Sequence, residues 1–87
     1  MPEIIEWRKK IDEIDNQLLK LLNERAQCAI EIGKIKKKTG MQVHDAGREK
    51  EIFARLREMN EGPFSNKAVE NLFGCLMRES RSLESED

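Results

Sequence analysis

Three helices, long, short and medium, make up the all-α fold that this sequence predicts, and two copies are expected to interlock as an intertwined homodimeric bundle. Three observations carry the expectation. Apolar residues recur in alternating steps of three and four, the helical period, over most of the chain. Strong turn signals fall at only two places, around Gly40 and at Gly62-Pro63. The composition, 38% hydrophobic and 38% charged with three Phe and no Tyr, is poor in the aromatic residues that strands favour. At 87 residues the chain reads as one domain over residues 1–87.

The first helix carries the longest pattern. Its seam runs Ile4, Trp7, Ile11, Ile14, Leu18, Leu21, Cys28, Ile32 and Ile35, which is a heptad spacing. Pro2 suits a first helical turn, and Glu3 and Glu6 suit the positive end of the helix dipole. Gly40 in "KKTGMQ" is the expected stop. Gly33 interrupts the run at a cost of about 1 kcal/mol relative to Ala, which is read as the mark of a close approach by another segment. Asp45 then caps a second helix reaching about Asn60, with Ile52, Phe53, Leu56 and Met59 on one face. "NEGPFS" breaks that helix and Ser65 caps a third. Val69, Leu72, Phe73, Leu76 and Leu83 form its inner face before the polar tail "ESED".

Length argues for the second copy. A helix of about 35 residues spans roughly 52 Å, whereas a compact globule of this chain has a radius of gyration of about 12 Å and a diameter near 30 Å. The first helix therefore overhangs its own domain, and its apolar seam overhangs with it.

Charge and cysteine content exclude several classes. Sixteen Lys and Arg against seventeen Asp and Glu leave a formal charge of −1, so neither nucleic acid nor an anionic membrane is expected as partner. The basic run "KIKKK" sits where cations complement a helix C-terminus. Cys28 and Cys75 fall on apolar stripes and are read as core thiols of a reducing cytosol. No Cys/His spacing suits a metal, and His44 is the one histidine. The opening "MPEIIEWRKK" lacks the apolar core of a signal peptide, and no run approaches membrane-spanning length. The expected location is cytoplasmic.

Polar residues intrude on the inner faces. Arg25 occupies the seam between Leu21 and Cys28. Lys36 lies eleven residues beyond it, a separation of three turns plus only about 20°, so the two cations share a face about 16 Å apart. Arg8 lies seventeen residues before Arg25, about 25 Å along the axis, so only an antiparallel partner helix brings it to the same small ligand. Asp45, Arg48 and Glu49 cluster at the start of the second helix. Ser80 takes a seam position between Leu76 and Leu83, and Glu84 follows one turn later. Buried Arg pairs with internal acids in many proteins, and polar seam residues also fix register. Here Arg8, Arg25, Lys36 and Arg48 outnumber their obvious inner partners, and unpaired buried cations are costly. An anionic ligand resolves the excess.

From about Ile4 to Glu84 the chain resembles the all-helical chorismate mutases. The resemblance is carried by "WRKKIDEIDNQLLKLLNERAQCAIEIGKIKKKTG", "VHDAGREKEI", "NEGP" and "LFGCLMRESRSLE", and by the combined spacing of Arg8, Asp15, Arg25, Gly33, Lys36, Asp45, Arg48, Glu49 and Ser80. It implies a domain-swapped dimer with two equivalent sites that rearranges the dicarboxylate chorismate to prephenate, in aromatic amino acid biosynthesis, by an intramolecular [3,3] shift. That reaction needs no nucleophile, metal or cofactor. Carried over by position, Arg25 clamps one substrate carboxylate and Arg8 of the other subunit takes the second. Lys36 donates to the ether oxygen as its bond breaks. Glu49 and the backbone near Asp45 hold the ring hydroxyl, Ser80 assists a carboxylate, and Arg48 supports the pocket.

One position departs from the family pattern. Many members carry a Gln one turn after the serine, where it donates a second hydrogen bond to the ether oxygen; here the residue is Glu84. A carboxyl group donates only when protonated, so the implied catalyst is protonated Glu84, with turnover declining toward alkaline pH. Two other readings stay open at this point. An isochorismate-pyruvate lyase of the same fold uses a similar cation set. A non-catalytic helical dimer, whether a plain adaptor or a regulator docked on another shikimate-route enzyme, is the second.

Overall fold

The computed structural model describes residues 2–85, and these form three α-helices: α1 Pro2–Thr39, α2 Ala46–Met59 and α3 Asn66–Glu84. The last two positions of the polar tail lie outside the described residues. Each boundary has a local cause. Gly40 adopts φ +73° and the Met41 amide donates back to the Lys36 carbonyl at 3.0 Å, the Schellman ending that glycine permits. Asp45 caps α2 by accepting from the Arg48 amide at 3.0 Å. Ser65 caps α3 by accepting from the Ala68 amide at 3.1 Å. Between α2 and α3, Asn60 clasps the turn. Its amide nitrogen donates to the Phe64 carbonyl at 2.9 Å and to Asn66 Oδ1 at 2.8 Å, while its oxygen accepts from the Gly62 amide at 3.1 Å.

α3 packs on both α1 and α2, yet no Cα of α2 comes within 8 Å of one in α1. The two helices that a short connection would ordinarily bring together stand apart, and α3 alone spans them. The result is elongated, 56 × 27 × 15 Å with a radius of gyration of 16.3 Å, against about 12 Å for a compact chain of this length.

Burial within one chain is sparse. Ala29, Ile52 and Met77 are the buried apolar side chains among the described residues. Ile4, Trp7, Ile11, Ile14, Leu18 and Leu21 all lie on the overhanging part of α1 with 47–64% of their surface exposed. Met59 and Leu72, expected on inner faces, are 67% and 56% exposed. Cys28 and Cys75, expected as core thiols, are likewise exposed. The reason is common to all of them: the stripes they occupy are not covered within a single chain. Among the described residues no helix is long and apolar enough to cross a membrane.

Gly33 makes the tightest helix contact. A Cβ there would lie 2.6 Å from the Glu84 carbonyl oxygen and 2.7 Å from its Cα. The sequence expectation of a close approach holds, and the partner is the last turn of α3. A methyl group at this point must push backbone away, at a typical overpacking cost of about 1–3 kcal/mol, against about 1 kcal/mol regained in helix propensity. Gly33→Ala is therefore expected to lower the denaturant midpoint; an unchanged or raised midpoint contradicts the contact.

Candidate functional site

The gap between α1 and α2 forms a cavity of about 320 Å³, within the size range of small-molecule sites. Its walls bring together Arg25 and Lys36 of α1, Asp45, Arg48 and Glu49 at the start of α2, and Ser80 and Glu84 of α3. Ile52 and Met77 supply an apolar floor from α2 and α3. Seven of the eight sequence-predicted site residues thus converge. Arg8 does not: it is exposed, seventeen residues up α1 from Arg25 and about 25 Å along the axis.

Arg25 and Ser80 form the first fixed pair. The guanidinium donates from Nη1 to Ser80 Oγ at 2.7 Å, and that hydroxyl donates onward to the Leu76 carbonyl at 2.8 Å. Ser80 bonds back to its own helix turn, so its single proton is committed and its lone pair faces Arg25. No carboxylate pairs with Arg25 among the described residues. Guanidinium has five N–H donors, so most of its capacity remains for a ligand, in the fork geometry that suits a carboxylate.

Lys36 is held differently. Its ammonium donates to Glu84 Oε1 at 2.7 Å and to the Val43 carbonyl at 2.8 Å. Both charged side chains are only 12% exposed. Glu84, at the end of α3, is therefore held in the site. Two of three ammonium protons are spent on fixed acceptors, which aims the third. On the α2 wall, Glu49 Oε2 accepts from Arg81 Nη1 at 2.6 Å, while its Oε1 lies 3.6 Å from His44 Nε2, too long for a hydrogen bond.

Arg81 is the residue that the sequence reading missed. It lines the cavity, and the signal was present: it lies four residues after Met77 and three before Glu84, hence on their helix face. The Val43 carbonyl was also missed, because a main-chain acceptor in a loop has no side-chain signature. With Arg81 included, four cations on the cavity wall face three carboxylates. The wall keeps a positive excess.

These features define an all-helical domain built around a cation-rich internal hollow, and comparison with known proteins fixes its family. Residues 7–85 match the family model described as chorismate mutase type II. The chain is 40% identical over 97% of its length to the bifunctional chorismate mutase/prephenate dehydratase of Aquifex aeolicus. It is 35% identical, again over 97%, to the chorismate mutase of Methanocaldococcus jannaschii. It spans 24% of the Aquifex relative and 86% of the Methanocaldococcus one. Among solved structures, form II of the Thermus thermophilus chorismate mutase superposes with a TM-score of 0.95 at 33% identity, covering 98% of this chain and 97% of that one. The chain belongs to the chorismate mutase type II family.

The Lys36–Glu84 bridge fastens the last turn of α3 to α1 with little solvent screening. Hydrogen bonds to charged partners are worth about 1.5–3 kcal/mol. Glu84→Ala is expected to destabilise the fold by about that amount in chemical denaturation. An unchanged midpoint would mean that the bridge carries no net stability.

Proposed function

We propose that this chain is a chorismate mutase: a cytoplasmic homodimer that rearranges chorismate to prephenate in aromatic amino acid biosynthesis. One observation carries the reading. Arg25, with no acid partner among the described residues, and Lys36, with one proton unspent, converge on a single small cavity. A compact dicarboxylate that must break an ether bond needs that pair of donors.

The mechanism follows from geometry and charge. Arg25 grips one carboxylate, and Ser80, whose proton is committed to Leu76, acts by steadying the guanidinium. The second carboxylate goes to Arg8 of the partner subunit. Exposed apolar surface favours this, because α1 leaves uncovered the seam that an antiparallel α1 would cover, and such a partner brings its Arg8 back along the axis toward Arg25. Lys36 donates its third proton to the ether oxygen as negative charge builds there. Val43 and Glu84 fix the ammonium beforehand, so little reorganisation is needed at the moment of reaction. Glu49 accepts from the ring hydroxyl, beside the first turn of α2 at Asp45. Arg48 adds positive potential at the wall. Catalysis is conformational confinement plus electrostatic stabilisation, and the least demanding enzymatic acceleration asks about 8 kcal/mol of them.

Glu84 has two states with two uses. Ionised, it accepts from Lys36, as in the structure. Protonated, it donates from its second oxygen to the ether oxygen while the first still accepts from Lys36. In this reading the protonated form turns over, so activity declines toward alkaline pH. Prephenate also suits a dehydratase downstream; the Aquifex relative combines both activities by name.

Chorismate consumption with product identification is the primary test. Prephenate is the expected product, and release of pyruvate from isochorismate instead would replace the reading with a lyase. Arg25→Ala and Arg8→Ala are each expected to lose most activity. Mixed and allowed to exchange, they should regain roughly a quarter of the sites, since half the dimers are mixed and each of those keeps one intact site. No recovery after verified exchange rules out donation of Arg8 across subunits. Separately, Glu84→Gln is expected to flatten the alkaline limb of the pH–rate profile. Parallel profiles for the two proteins above neutral pH remove Glu84 as a donor.

A further inference from the structure

The Arg81–Glu49 pair does more than join two helices. No Cα of α2 lies within 8 Å of one in α1, so the α2 helix itself packs on α3 and not on α1. At the cavity, α3 reaches the α2 wall through the Arg81 Nη1 contact to Glu49 Oε2 at 2.6 Å. Of the other carboxylates on the wall, Asp45 is engaged as the cap of α2 and Glu84 is engaged by Lys36. Each of these carboxylates has one oxygen engaged; Glu49 engages Oε2 with Arg81, and its Oε1 has the distant His44, 3.6 Å away and 60% exposed, for a neighbour.

A glutamate side chain has three rotatable bonds, and this one stands on the first turn of α2 beside a cavity that also holds Arg25, Lys36 and Arg48. Released from Arg81, the carboxylate is drawn by Coulomb attraction toward those cations. There it turns away from a neutral hydroxyl. We propose that Arg81 is a positioning residue that sets hydroxyl recognition: it engages Glu49 Oε2 so that Oε1 stays free to accept from the substrate's ring hydroxyl. The inference rests on the mutase reading and adds to it a residue acting through Glu49. A hydroxyl contact made equally in ground and transition states acts on KM rather than kcat.

Arg81→Met, Arg81→Lys, Glu49→Gln and the double variant Arg81→Met/Glu49→Gln are assayed on chorismate and on the analogue with hydrogen in place of the ring hydroxyl. Loss of one hydrogen bond to a charged acceptor corresponds to about a tenfold or greater change. Arg81→Met should therefore raise KM about tenfold on chorismate while kcat stays within about twofold. Arg81→Lys keeps the charge but lacks the fork, and should fall between. It also reads the effect if Arg81→Met fails to fold. In the Glu49→Gln background Arg81→Met should add little, the non-additivity of groups acting as a unit, and on the hydroxyl-free analogue it should have no effect. Wild-type KM in both Arg81 variants, full additivity with Glu49→Gln, or an equal loss on the analogue overturns the inference. A wild-type protein that makes no prephenate overturns the mutase reading and this inference together, whereas normal wild-type turnover with a silent Arg81 overturns the inference alone.

Discussion

The separation of α1 from α2 is the constraint on which the rest of this molecule depends. Consecutive helices joined by a short loop commonly pack as a hairpin. Here they do not, and the side chains at the gap explain why. Closing it would press Arg25, Lys36, Arg48 and Glu49 together away from water, and desolvating charges costs several kcal/mol per ion unless every one is well paired. The walls have more cations than acids, so complete pairing is not available. The hollow is kept open by its polarity, and α3 holds its two walls at a fixed distance.

That division of labour makes α3 the structural centre of a site whose charged groups stand mostly on the other two helices. Through Ser80 it steadies Arg25, through Arg81 it holds Glu49, and through Glu84 it holds Lys36. These three residues lie within about one turn and a half of a single helix. Cooperative support of this kind suits the proposed rearrangement, since an electrostatic catalyst works by having its dipoles in place before charge moves. α1 behaves as two helices in one: an exposed apolar rod from Ile4 to Leu21 and a polar wall from Arg25 to Lys36.

Much of this was legible in the residue order. Heptad spacing, the glycine at 40 and the capping residues Asp45 and Ser65 defined all three helices, because these signals act over one or two turns and do not depend on what packs where. The angular argument that put Arg25 and Lys36 on one face needed only helical geometry. Gly33 flagged its close contact through its poor helix propensity, though not its partner. Burial was another matter. Cys28, Cys75, Met59 and Leu72 lie on apolar stripes, yet they are exposed in a single chain, because periodicity reports which face is apolar and not which surface covers it. Arg81 escaped for a related reason: beside Ser80, in a charged stretch, it looks like any solvated arginine until Glu49, distant in sequence, is set against it.

The contact at Gly33 has a consequence for how this scaffold can vary. The glycine meets the main chain of residue 84, not its side chain, so this backbone contact is indifferent to which side chain the residue carries, provided that it still accepts from Lys36. An acid there can be exchanged for its amide, or the reverse, while the neighbouring packing stays as it is. Natural variation can therefore change the hydrogen-bonding character of the cavity wall at this one position without rebuilding the architecture around it.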